Sequence, residues 1–167
     1  MDIKHVIADH CLDLLPAFVE LESYYFAENA ATQNELSHYL TERVFSQASS
    51  VKIIAAYEKG QVRGFATYTV MYPAPRLSGQ MYIKDLFVTS SARGKGVGLA
   101  LMKYLAAVAV NAGCERLDWT AESINPRAGQ FYQAIGASLV SEKEYYRFEG
   151  TALSQFAQSL LNDDVKH

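Results

Sequence analysis

One stretch constrains this chain more than any other: "QMYIKDLFVTSSARGKGVGLALMKYLAAVAVNAG", residues 80–113. An extended apolar pattern over 80–88 enters a loop holding Gly94, Gly96 and Gly98. It continues into Val97, Leu101, Tyr104, Leu105 and Val108, which recur at helical intervals until "NAG" stops the helix. Strand, glycine loop and helix in that order put backbone N–H groups at the positive end of a helix dipole, with Arg93 and Lys95 at the rim. Such a loop is either an anion cradle or a tight turn packed on a sheet. It lacks the G-x-x-x-x-G-K-[ST] of a nucleoside-triphosphate loop, and the third glycine of a dinucleotide fingerprint falls on Leu99. A dinucleotide fold opening at residue 88 also has only about eighty residues left for its six-stranded sheet, which argues against a nicotinamide enzyme.

The flanking sequence supplies the rest of the architecture. "IKHVIA" (3–8) reads as a short strand, and "CLDLLPAFVELESYYFAE" (11–28) as a helix. "ELSHYLTERVFS" (35–46) is an amphipathic helix. "VKIIAAYE" (51–58) and "RGFATYTVMY" (63–72) form a hairpin about "KGQ", with Pro73 and Pro75 ending its second strand. "RLDWTA" (116–121) alternates as a half-buried strand, and Asn125–Pro126 is an N-cap and N1 pair opening a short helix that runs to about Gly136. "KEYYRFE" (143–149) reads as a last strand and "TALSQFAQSLL" (151–161) as a closing helix. The order implies an α/β fold, a mixed and mostly antiparallel sheet with a central βαβ unit and flanking helices. With no linker, repeat or low-complexity segment, residues 1–167 read as a single domain.

Composition excludes several partners. Fifteen Lys plus Arg against eighteen Asp plus Glu leave a formal charge of -3, so a broad basic face for nucleic acid is not expected. Neither a signal peptide nor an apolar run of membrane-spanning length is apparent, so no membrane partner and a cytoplasmic location are expected. Cys11 and Cys114 lie far apart and outside any CxxC spacing, and read as buried thiols. His5, His10, His38 and His167 have neither triad nor metal spacing, so no metal is expected.

Two motifs together carry a resemblance. Arg93, Gly96 and Gly98 match the R/Q-x-x-G-x-G/A loop of the GNAT superfamily of acetyl-CoA-dependent N-acetyltransferases. "NPRAGQFYQAIGA" (125–137) resembles that superfamily's N-x-x-A-x-x-F-Y segment. "ELESYY", "RGFATYTVMYPAP", "YIKDLFV" and "AGQFYQAIGA" are similar to the diamine (spermidine/spermine) and thialysine acetyltransferase branch, over roughly residues 3–160.

The resemblance implies a GNAT fold, acetyl-CoA as cosubstrate, and direct acetyl transfer to a primary amine of a small polyamine or amino-acid-like molecule. It assigns the pyrophosphate to Arg93, Gly94, Lys95, Gly96, Val97, Gly98 and Leu99, and the acetyl and pantetheine groups to the main chain of Leu86, Phe87 and Val88. It adds Asn125 and Ala128 to the cofactor contacts, although Asn125 is equally well explained as a helix cap. Tyr132 is implied as the acid that protonates the leaving sulfur, a role open to a phenol that stays protonated at neutral pH. Tyr24, Tyr25, Asp85 and Glu144 are implied as substrate contacts, with Asp118 a further candidate. Asp85 either holds the amine or pairs with Lys84 or Arg116. One departure stands out: Lys84 precedes Asp85 where the diamine enzymes carry a glutamate. Acetylation of a protein N-terminus or lysine, and a non-catalytic coenzyme A sensor, are the alternatives. The apolar positions of 151–161 suit either a homodimer surface or a tail helix folded onto its own domain.

Overall fold

A computed structural model describes residues 1–163. Contacts divide the chain into two compact units, Met1–Asn125 and the residues from Pro126 onward. In the first unit the order is β1 (Asp2–His5), α1 (Leu15–Phe26), α2 (Gln33–Tyr39), β2 (Lys52–Glu58), β3 (Gln61–Ala74), β4 (Ser78–Val88), α3 (Val97–Asn111) and β5 (Cys114–Trp119). The strands lie side by side in chain order. The first three pairings are antiparallel and β4 with β5 is parallel, so β4–α3–β5 is the anticipated βαβ unit.

Local chemistry explains the turns. Lys59 and Gly60 both take positive φ, +50° and +74°, as the tight turn joining β2 to β3 requires. Pro73 does not end β3 as the sequence suggested; the strand continues to Ala74. The register with β4 shifts between Met71 and Ala74, and at that irregularity a residue without an N–H costs the ladder nothing.

Period-two alternation gives the sheet two buried faces. Ile53, Ala55, Tyr57, Phe65 and Phe87 cluster with Leu14, Ala17 and Leu40, and Phe18 of α1 stacks on Phe65 at 4.6 Å between centroids. On the other face α3 lays Val97 and Leu101 against β3. A Cβ at Gly64 would stand 2.8 Å from the Phe87 carbonyl oxygen and 3.1 Å from Val97. That close approach is why β3 carries a glycine there. Buried side chains such as Phe65, Leu101 and Leu105, all 0% exposed, contribute on the order of 1.5–3 kcal/mol each. His5 also belongs to the sheet, its Nε2 2.6 Å from the Tyr68 hydroxyl and its ring 6.0 Å from that of Tyr104.

The second unit contains α4 (Pro126–Ala134) and α5 (Gly150–Asp163). α4 begins at the proline the sequence placed at N1. Residues 143–149, read from sequence as a strand, are not one: they are exposed and without regular secondary structure. Alternation alone makes no strand; a ladder partner must satisfy its amides, and the sheet among the described residues is composed of β1–β5. α5 confirms the closing helix, whereas His167 lies outside the described residues.

Candidate active site

β4 and β5 pair from Gly79 with Cys114 to Ile83 with Trp119, and β5 then ends. From Lys84 to Val88, β4 keeps its ladder to β3 only. Beyond that point no strand among the described residues pairs with this edge of β4. Leu86, Phe87 and Val88 lie along this edge. The Phe87 side chain is turned into the core, 5.9 Å from Phe65 between centroids, so it offers a ligand backbone more than ring. The Val88 carbonyl accepts from Arg93 Nε at 3.2 Å.

The loop after β4 is held from below. The Thr89 amide and hydroxyl both donate to the Arg63 carbonyl at 3.0 Å, and Ser90 N–H donates to Glu20 of α1 at 2.6 Å. Gly94 and Gly96 take φ of +72° and +79°, a conformation that costs a side-chain-bearing residue about 1–2 kcal/mol. Gly96 is the N-cap of α3, and no side chain caps that helix. The first-turn amides of Val97, Gly98 and Leu99 therefore suit an external anion. Arg93 and Lys95 are exposed at the rim. Lys95 Nζ donates to the Ser91 carbonyl at 2.8 Å, and Arg93 approaches Glu20 at 4.0 Å.

Upstream on β4 the side chains take over. Thr67 pairs with Asp85 and Tyr68 with Ile83, which leaves Lys84 as the extra residue of a bulge. Thr67 is 4% exposed and lies two residues from Phe65, so it shares the α1 face; its hydroxyl donates to Asp85 Oδ2 at 2.5 Å. The bulge turns Lys84 to the same side, where its Nζ is 3.6 Å from Asp85 Oδ1. Of the partners foreseen for Asp85, Lys84 is thus the one observed. The Asp118 carboxylate is engaged by the Gln80 side-chain amide.

Tyr24 and Tyr25 end α1 with their rings exposed and edge to face at 5.2 Å. Partial burial of its hydroxyl pushes the Tyr25 pKa up; the charges of Asp85, Tyr24 and Glu122 add to this and Lys84 opposes it. Asp85, Glu122 and Lys84 are thus electrostatic neighbours of Tyr25. Thr67, Glu20 and Glu122 were not foreseen. Alternation in "RGFATYTV" gives the face of Thr67, but its register with Asp85 has no sequence signal.

In the second unit, α4 carries Ala128 and a half-buried Tyr132, whose ring lies 5.3 Å from Phe131 between centroids. Glu144 sits in the strandless segment and accepts from the Tyr146 hydroxyl. Asn125, the last residue of the first unit, donates its main-chain N–H to the Glu122 carbonyl at 2.9 Å. Among the described residues no cluster of His, Cys, Asp or Glu could hold a metal ion, and no helix is long and apolar enough to cross a membrane.

Residues 15–137 match the acetyltransferase (GNAT) family. The thialysine N-epsilon-acetyltransferase of Bos taurus is 33% identical over 99 residues, 58% of each chain. The L-ornithine N5-acetyltransferase of Arabidopsis thaliana is 34% identical over 92 residues, 55% of this chain and 40% of that one. The chain thus spans about half the length of these curated relatives. A solved integron cassette protein from the mobile metagenome of V. cholerae is 62% identical with a TM-score of 0.93, covering 94% of this chain and 97% of that one. A glycine loop at an uncapped helix, a parallel strand pairing that ends partway along β4 and the match over residues 15–137 agree: the chain belongs to the acetyltransferase (GNAT) family and has that family's α/β fold.

Proposed function

We propose that this chain, as one domain over residues 1–167, transfers acetyl directly from acetyl-CoA to a primary amine of a small polyamine or amino-acid-like substrate. The observation that carries the reading is the parting of β4 from β5 beyond Ile83 and Trp119, directly before the uncapped N-terminus of α3. The uncapped amides of Val97, Gly98 and Leu99, with Arg93, Gly94, Lys95 and Gly96, suit the pyrophosphate. The free edge of Leu86, Phe87 and Val88 suits the pantetheine amides and the thioester carbonyl, with Asn125 and Ala128 as further contacts.

In the reaction the amine arrives as an ammonium, and Tyr24, Tyr25, Asp85 and Glu144 receive it. Asp85 takes its proton through water, and the free amine attacks the thioester carbonyl. Main-chain donors of β4 stabilise the oxyanion, and the C–S bond breaks as the tetrahedral adduct collapses. Tyr132 gives its proton to the departing sulfur and regains one, through water, from the nitrogen of the collapsing adduct, leaving an amide and coenzyme A. Neither a covalent enzyme intermediate nor a metal takes part. The chain acts in the cytoplasm, without nucleic-acid or membrane partners, and forms a homodimer through the exposed Leu153 and Phe156 of α5.

The test is thiol release from acetyl-CoA with a panel of spermidine, short diamines, lysine, ornithine and a peptide. Release with the small amines supports the reading. Release with the peptide alone assigns a protein acceptor, and coenzyme A binding without release for any amine makes the chain a sensor.

A further inference from the structure

The side chains at the acceptor end of β4 present both signs of charge. Asp85 is the supported member: its carboxylate is 33% exposed, and one oxygen accepts from the buried Thr67 hydroxyl. Lys84 is the exposed member: its side chain is 70% exposed and, among the described residues, its ion pair is the one at 3.6 Å to Asp85 Oδ1. An exposed ion pair this long exchanges partners at little cost. The lysine is on this face because the bulge adds a residue to β4 at that point; in an unbroken ladder, neighbours at 84 and 85 would project to opposite faces.

A diamine brings only positive charge here, and Lys84 opposes it. An amino acid with a reactive side-chain amine brings an ammonium for Asp85 and a carboxylate for Lys84. Resting on the reading that the chain acetylates small amines, we infer that Lys84 is a specificity-determining residue: it binds the acceptor's carboxylate and selects free amino acids over the diamines and polyamines of the same carbon skeleton. Asp85 and Thr67 serve the amine, and Lys84 reads what else the molecule carries.

Matched acceptors isolate that one group. L-ornithine and 1,4-diaminobutane, and L-lysine and 1,5-diaminopentane, differ only in the carboxylate. Each is compared by kcat/KM in thiol release, in the native protein and in Lys84→Met and Lys84→Glu. The native protein should favour the amino acid of each pair by about two- to fivefold, the range an exposed ion pair supplies. Lys84→Met should erase the preference and Lys84→Glu should reverse it, with melting temperatures unchanged because the side chain is exposed. A native preference for the diamines, or ratios unmoved by both substitutions, overturns the inference while leaving acetyl transfer standing. Absence of release with every amine overturns the acetyl-transfer reading itself, and the role of Lys84 with it.

Discussion

The two ends of the path from β4 into α3 are built from different material. At the loop, Gly94 and Gly96 hold φ of +72° and +79°, and the groups offered are amides, which no single side-chain deletion removes. At the proposed acceptor end the groups offered are the carboxylate of Asp85, the hydroxyl of Thr67 and the ammonium of Lys84, each removable by one substitution. The loop suits what every turnover shares, and the acceptor end suits what differs between substrates. Backbone geometry gives the first its constancy, and a bulge gives the second its particular pair of charges.

Four outcomes sharpen or break that contrast. Tyr132→Phe should lower kcat for every amine by the same factor, on the order of 10²–10⁴; a loss that varies between acceptors would move Tyr132 to the substrate side. Gly96→Val forces a β-branched residue to φ +79°, about 1–2 kcal/mol of strain. It should weaken coenzyme A binding by roughly five- to thirtyfold in calorimetry without altering acceptor ranking. Thr67→Val removes the hydroxyl that holds Asp85, a charged hydrogen bond of about 1.5 kcal/mol. It should raise KM for the amine several-fold while the affinity for coenzyme A stays fixed. An effect of Thr67→Val on coenzyme A would dissolve the distinction between the two ends.

The smallest effect is expected away from both ends. Partial burial of its ring, reinforced by the charge of Lys52, lowers the pKa of His5 from 6.5. A depressed folded-state pKa means the unfolded chain binds the proton more readily. The stability His5 contributes is therefore present above pH 6.5 and is lost as pH falls through the folded value. Melting temperatures of the native protein and His5→Phe should converge on acidification below that pH. Any change in coenzyme A affinity over the same range would break the separation of this group from the loop.

Features resting on neighbours in sequence were legible. Gly96 before an apolar helix, Lys59–Gly60 between two strands and Asn125–Pro126 before α4 each fix their own φ and ψ through local chemistry. Features resting on partners distant in sequence were not. Pro73 reads as a strand end because proline lacks a donor, yet β3 passes it at an irregularity that only the register with β4 creates. Residues 143–149 alternate well and still form no strand, since alternation does not supply the pairing edge. Within the proposed site, Asp85, Tyr24 and Tyr25 entered through the resemblance to the diamine branch, not through any local pattern of their own. Thr67 escaped notice because its tie to Asp85 is a matter of cross-strand register, and the pairing of Lys84 with Asp85, one of two partners the sequence offered, depends on a bulge that no sequence signal marks.

Glu20 has a consequence for how such a protein changes over time. It sits one helical turn before Tyr24 and Tyr25, and it fastens α1 to Ser90 and Arg93 of the loop. Drift in the acceptor aromatics that tilts α1 is therefore transmitted to the loop through a single carboxylate. Selection for new acceptors should succeed in libraries that vary Tyr24, Tyr25 and Lys84 while Glu20 is held constant, and stall where it is not.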